Sequence, residues 1–222
     1  IDEAHCISQW GNDFRPAYKN CNILKTLHPL VPTIALTATA TPEVVTDTVM
    51  QLKLEEPVVL KSSFARKNLS YQVHYQEDKL FKIEQLLKKS NGAAIIYVRS
   101  RKNTVEISQQ LNSLGISSDF FHGGISTEEK NKRLEDWLQG RKQVMVATNA
   151  FGMGIDNPNV RYVFHTQLPE SLESYFQEAG RAGRDGNYSS AVVLYNNYDK
   201  ILIKKQFLDS RPTTQQLKTI YR

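Results

Sequence analysis

Two carboxylates and an imidazole stand at the head of the chain, in Ile1-Asp2-Glu3-Ala4-His5, directly behind an apolar residue. That is where a strand end in an α/β sheet builds a site. Adjacent acids can divide the work of metal-assisted phosphate hydrolysis, one holding Mg²⁺ through its water shell and the other polarising the attacking water. A polar loop with incidental acids has the same composition. Thr37-Ala38-Thr39-Ala40 is a second candidate, whose hydroxyls can bond a carboxylate or a neighbouring domain, or cap a helix. The third is Gln177-Glu178-Ala179-Gly180-Arg181-Ala182-Gly183-Arg184-Asp185-Gly186. Arg181 and Arg184 stand three apart, on one face of a helical turn, and the glycines leave them uncovered. Two guanidiniums presented in this way suit a bidentate grip on phosphoryl oxygens.

The elements that must hold these groups alternate between short apolar runs and amphipathic helical patterns, the signature of a parallel sheet covered by helices. Strands are expected at Thr33 to Leu36, Val58 to Lys61, Tyr71 to Tyr75, Ala93 to Val98, Asp119 to Phe121, Val144 to Ala147, Val160 to His165 and Ala191 to Tyr195. Thr41-Pro42-Glu43 supplies an N-cap, a first-turn proline and an acid for a helix that buries Val44, Val45 and Val49. Ser126 and Glu129 form a capping box ahead of an apolar stripe of Leu134, Trp137 and Leu138. A charged, strand-poor stretch from Arg66 to Ser70 marks a boundary. The expected division is residues 1–65, reading as the second half of a domain that opens at a strand end, 66–199 as a complete domain, and a polar helical tail over 200–222.

Composition sets outer bounds. The chain has 222 residues, 28 Lys and Arg against 23 Asp and Glu, and 40% hydrophobic residues, which excludes a disordered or collagen-like chain. No uncharged apolar run approaches the roughly 18 residues of a membrane span, so no membrane partner is expected. Ile1 stands where an initiating Met would, with no basic segment of a signal peptide behind it, so a natural start further upstream is expected. Two cysteines, Cys6 and Cys21, complete neither a zinc site nor a disulfide framework, which points to a reducing compartment. The net charge of +5 suits a polyanion without requiring one.

In order and spacing, the three chemical elements resemble motifs II, III and VI of superfamily-two helicases, in which two RecA-like domains close on ATP. The likeness narrows to the RecQ family of DNA helicases and runs from Ile1 to about Lys200. His5-Cys6-Ile7-Ser8-Gln9-Trp10-Gly11-Asn12-Asp13-Phe14-Arg15-Pro16 resembles that family's aromatic-rich loop, Ile95-Ile96-Tyr97 its motif IV, and Ala147-Thr148-Asn149-Ala150-Phe151-Gly152-Met153-Gly154-Ile155-Asp156 its motif V. His122-Gly123-Gly124 departs from a commoner His-Ala-Gly form, and Asn157 stands where Lys is usual.

The resemblance implies an α/β fold of RecA-like parallel sheets with helices on both faces: the C-terminal part of an ATP-binding domain, a whole second RecA-like domain, and the start of a connection to a zinc-binding module. It implies an ATP-dependent 3′-to-5′ DNA helicase of repair and recombination. Asp2, Glu3, His5, Arg181 and Arg184 would be catalytic, Asp2 would hold Mg²⁺ through water, and Thr37, Thr39, Gly154, Asp156 and Gln177 would bind or couple to ATP. Trp10, Phe14, Arg15, Tyr97, Arg99, Thr148 and Asn149 would meet DNA, single-stranded or at duplex junctions, the aromatics by base stacking. Arg99, Arg101 and Lys102 read equally well as a solvated face, and Gly152 and Gly154 as tight-turn residues. A monomer is expected, cytoplasmic and nucleoid-associated in a bacterium or nuclear in a eukaryote. The phosphate-cradling Gly-x-x-x-x-Gly-Lys-Ser/Thr loop, the adenine-reading glutamine and the four zinc cysteines are absent from these 222 residues, so the segment alone should be inactive. A superfamily-two ATPase acting on RNA and a non-catalytic nucleic-acid-binding module are the alternatives.

Overall fold

Ala93–Tyr97 and Val144–Ala147 are apolar or aromatic at every position and buried along their whole length, as strands covered on both faces must be. In the computed structural model they are β2 and β4 of one six-stranded sheet. The structure describes residues 1–8, 15–63, 65–152, 155–169, 171–205 and 218–219. Beside those two strands lie β1 (Leu69–Tyr75), β3 (Ser118–Phe121), β5 (Val160–His165) and β6 (Ser189–Tyr195), in the order β1-β6-β5-β2-β4-β3 with every pair parallel. The helices are α1 (Ile23–Leu27), α2 (Pro42–Gln51), α3 (Lys79–Leu87), α4 (Arg101–Ser113), α5 (Thr127–Leu138), α6 (Leu172–Ala179) and α7 (Asn197–Ile203). The chain divides into two compact units, residues 1–66 with 171–177, and residues 67–170 with 178–222.

Alternation along the strands sorts the second unit's core into two layers. Ala94, Ile96, Val144, Val146, Phe164, Val192 and Leu194 pack with Ile83 and Leu87 of α3 and Leu111 of α4. The intervening residues Ile95, Met145, Val163 and Val193 are also buried. Trp137 of α5 is fully buried, donates its indole N–H to the Ala94 carbonyl at 3.3 Å and meets the Phe151 ring edge-on. The Ser126–Glu129 capping box forms as the spacing predicts, and Thr41 caps α2 through the Val44 N–H.

Side-chain placement departs from the periodic reading in both helices. Leu138 is exposed and Leu134 half-buried, and in α2 Asp47 and Thr48 are buried beside Val44 while Val45 and Val49 are only half-buried. Two expected strands do not form. Thr33 to Leu36 and Val58 to Lys61 join no ladder, and Ile34, Val58 and Leu60 are 69%, 85% and 90% exposed. Apolar, β-rich composition makes a strand only where another strand satisfies its backbone. Backbone bonds instead tie the Thr33 to Leu36 run to the acidic segment, through Leu36 N–H to the Ile1 carbonyl and Ala4 N–H to the Leu36 carbonyl, both 2.9 Å, and through the Ile1 nitrogen to the Ile34 carbonyl at 2.6 Å.

The turn after α6 requires glycine at one place. Gly183 has φ +64°, and a Cβ there would lie 2.7 Å from Asn68 Nδ2 and 2.9 Å from both the Asn187 carbonyl and Ser189 Oγ. Asn68 donates to the carbonyls of Gly183 and Asn187, so the same side chain that crowds the position also fastens the turn. Gly186 has φ +84° but open space around it. Gly183→Ala should therefore cost more than the ~1–3 kcal/mol of a strained backbone, and Gly186→Ala no more than that. Denaturant unfolding of the two variants measures the difference, and equal losses would contradict the crowding at Gly183.

An ion pair from Arg161 closes the same turn on Asp185, whose carboxylate also accepts from the Asn187 side chain at 2.8 Å. The Arg161 hydrogen bond, followed by those of Asn187, holds the Asp185 carboxyl down at about 2, below its ordinary 3.8. A carboxyl depressed by folding contributes stability above its unfolded value and loses it as pH falls toward the folded one. Arg161→Met should accordingly flatten the acid side of the stability profile between pH 3.8 and about 2. Unfolding titrations across that range test this, and an unchanged acid limb would contradict it.

Candidate functional site

In the first unit the acidic segment is bent by its own backbone. Glu3 adopts the left-handed conformation, with φ 48°, and its N–H is accepted by the Asp2 carboxylate at 2.9 Å. The bend sends Ala4, His5, Cys6 and Ile7 into a buried 3₁₀ turn while Asp2 stays exposed and Glu3 half-exposed. His5 Nδ1 lies 2.9 Å from Thr37 Oγ1 and 3.4 Å from Glu3 Oε2. His5 Nε2 lies 3.8 Å from Cys6 Sγ on the other side of the ring. Thr37 Oγ1 also accepts the Thr39 N–H at 3.2 Å. The structure thus joins His5, Thr37 and Thr39 by hydrogen bonds and brings Glu3 beside them.

In the second unit the carboxyl ends of β2, β4 and β5 converge where the chain crosses from one side of β2 to the other, the switch point at which open α/β sheets bind ligands. Tyr97 and His165, the last residues of β2 and β5, are cross-strand partners and stack at 5.3 Å. Burial pushes the Tyr97 phenol above its ordinary value, and its hydroxyl donates to the Phe151 carbonyl at 2.8 Å. His165 Nε2 lies 2.6 Å from Glu178 Oε2. The Ile155 carbonyl accepts from Arg181 Nη1 at 3.4 Å and from Arg184 Nη1 at 3.2 Å. Arg184 also pairs with Asp156 at 2.8 Å. A Cβ on Gly152 would lie 2.9 Å from Arg181 Nη2, so glycine leaves the room that guanidinium fills.

Placement corrects several expectations. Helix α6 ends at Ala179, and both arginines sit in the turn that follows it, joined through the Ile155 carbonyl instead of a helical face. Arg181 is 8% exposed, its Nε has no partner among the described residues, and no described carboxylate lies within ion-pair distance. Tyr97 is 4% exposed with its hydroxyl turned inward, so its side chain offers no surface to DNA. Thr148 is likewise buried, whereas Asn149, Asp156 and Gln177 are exposed. Arg99 donates to the Leu168 carbonyl at 2.7 Å, Lys102 extends into solvent beside Glu106, and Arg15 is half-buried. Trp10, Phe14 and Gly154 lie outside the described residues. Sequence reasoning missed the His165–Glu178 pair, for which the only signal was a histidine at a strand end.

Residues 78–186 match the helicase conserved C-terminal domain. The chain is 43% identical to the ATP-dependent DNA helicase RecQ of Bacillus subtilis over 94% of its own length, which is 36% of that protein. It is 45% identical to the ATP-dependent helicase SGS1 of Saccharomyces cerevisiae over 90% of its length, or 14% of that relative. Among solved structures, Saccharomyces cerevisiae Dbp5 bound to RNA and ADP BeF3 matches with a TM-score of 0.67 at 25% identity, over 95% of this chain and 57% of that one. Mycobacterium smegmatis Lhr bound to ssDNA and AMP-PNP shares the fold, with a TM-score of 0.68 at 24% identity over 87% and 28% of the two chains. The parallel sheet is thus that of RecA-like helicase domains, and the chain, which spans little more than a third of these curated relatives at most, is similar in sequence to RecQ-type helicases over nearly its whole length.

Proposed function

We propose that the protein is an ATP-dependent DNA helicase that couples ATP hydrolysis to 3′-to-5′ movement along single-stranded DNA and to duplex unwinding. The observation that carries this reading is the buried Arg181 guanidinium beside Arg184, both on the Ile155 carbonyl and the first without a carboxylate among the described residues. A buried, incompletely bonded cation is costly unless an anion completes it, and a phosphoryl group supplies charge and acceptors together. Arg184 is held in the resting state by Asp156, an exposed pair worth little, so it is free to exchange that partner for a phosphate. On this reading Arg184 is the arginine finger and Arg181 a second phosphate contact.

The acids of the first unit are read separately. Among the described residues no cluster of three or more ligands could hold a resident metal, but one exposed carboxylate suits Mg²⁺ that arrives with the nucleotide and keeps most of its waters. Asp2 would hold that ion through water. Glu3 would orient the attacking water, with His5 and Thr37 fixing its carboxylate. Residues 1–65 are then the C-terminal part of the ATP-binding RecA-like domain, 66–199 the second RecA-like domain, and 200–222 the start of a connection to a zinc-binding module. Trp10 and Phe14 would stack on bases, and Arg15, Arg99 and Asn149 would meet the strand. Support for DNA at these positions comes from their composition and from the similarity to the Bacillus subtilis relative, a DNA helicase by name.

In the full-length protein, Arg184→Ala should lower kcat by ~10³–10⁵-fold with little change in nucleotide or DNA affinity, and Arg184→Lys should restore little because a point charge lacks the planar fork. Steady-state kinetics with equilibrium titrations decide it. A kcat that survives while KM rises would make Arg184 a ground-state binder. The 222-residue chain alone, having no phosphate-cradling loop, should release no phosphate from ATP above a Glu3→Gln control.

A further inference from the structure

Resting on the reading above, we propose that His165 and Glu178 are positioning residues: their hydrogen bond sets where the turn carrying Arg181 and Arg184 stands against the ends of β2 and β5. The contacts form a closed circuit. Glu178 Oε2 accepts from His165 Nε2 at 2.6 Å, and the His165 ring stacks on Tyr97 at 5.3 Å. Tyr97 donates to the Phe151 carbonyl at 2.8 Å, and Phe151 N–H returns to the Thr148 carbonyl at 2.9 Å at the end of β4. Gly152 follows and packs on the Arg181 guanidinium, which bonds the Ile155 carbonyl. Arg181 N–H then donates to the Glu178 carbonyl at 3.2 Å, closing the ring on the residue where it began.

Glu178 therefore acts at both ends of one short segment. Its side chain is tied to the sheet, and its carbonyl starts the turn that ends in the arginines. His165 is 3% exposed and Glu178 reaches it from the last turn of α6, so the bond is shielded from water and directional. Because the carboxylate can only accept, Nε2 carries the ring proton, and glutamine can replace glutamate as the acceptor without moving the turn.

The test uses DNA-stimulated ATP turnover by the full-length protein. Glu178→Ala, and Glu178→Asp, which withdraws the carboxylate by one methylene, should each lower kcat by at least ~10-fold and up to the ~10²-fold that a 1 Å misplacement costs, with KM for ATP and DNA affinity within about twofold. Glu178→Gln should retain most of kcat. In an Arg184→Ala background the loss from either variant should shrink to within about threefold, because residues that act as a unit are not additive. A merely structural role would instead multiply through both backgrounds and would overturn the inference, as would Glu178→Asp turning over at the wild-type rate while Arg184→Ala is slow. If Arg184→Ala itself keeps the wild-type kcat, the functional reading fails and takes this inference with it. Glu178→Asp keeps the charge and carries the same comparison should Glu178→Ala fail to fold.

Discussion

A guanidinium is among the hardest groups to bury, and the second unit is arranged around doing so at Arg181. The cation needs space, acceptors and a rigid surround. Space comes from Gly152, where any Cβ would stand 2.9 Å from Nη2. One acceptor is the Ile155 carbonyl, which it shares with Arg184, and the Tyr97 hydroxyl oxygen is another. Rigidity comes from the stacked ends of β2 and β5 and from the Tyr97 hydroxyl that pins the Phe151–Gly152 turn. The Tyr97 phenol, pushed up by burial, stays a neutral donor throughout the physiological range. What remains unsatisfied, a buried Nε with no partner among the described residues, is the feature a bound anion would complete.

The first unit solves a different problem, holding acids in place without neutralising them. Among the described residues no arginine or lysine lies within ion-pair distance of Asp2 or Glu3, whose neighbours are a backbone N–H for Asp2 and the His5 imidazole, itself bonded to a threonine hydroxyl, for Glu3. A salt bridge would have fixed them as firmly but weakened their pull on a cation. The left-handed Glu3 is the local cost, about 1–3 kcal/mol for a residue other than glycine, and the backbone bonds between the acidic segment and Leu36 offset it.

How much of this the amino-acid order could reveal depended on range. Strands that are apolar at every position, such as β2 and β4, and helices with local caps, such as α5, were readable because the determining residues are neighbours. The Thr33 to Leu36 and Val58 to Lys61 runs look like strands by the same criterion, but a ladder depends on a partner that no local pattern reports. The paired arginines were plain, while the burial of one and the exposure of the other were not, because both follow from a glycine and a carbonyl more than 25 residues away along the chain. Tyr97 shows the same limit at a strand end, where the burial of β2 on both faces carries on to its last residue. His165 and Glu178 were invisible for that reason: a histidine ending a strand is ordinary until its partner is known.

On the function proposed above, the arginine turn serves charge developing in a transition state and not the resting nucleotide. Its most direct measurement is the affinity of the full-length protein and its Arg184→Ala variant for two ligands, a non-hydrolysable ATP analogue and ADP with aluminium fluoride, which imitates the transferring phosphoryl group. The account predicts that the variant binds the ATP analogue within about threefold of the parent but loses the transition-state mimic by at least ~10²-fold, since complementarity to the transition state is what the finger provides. Equal loss for both ligands, or none for either, would contradict it.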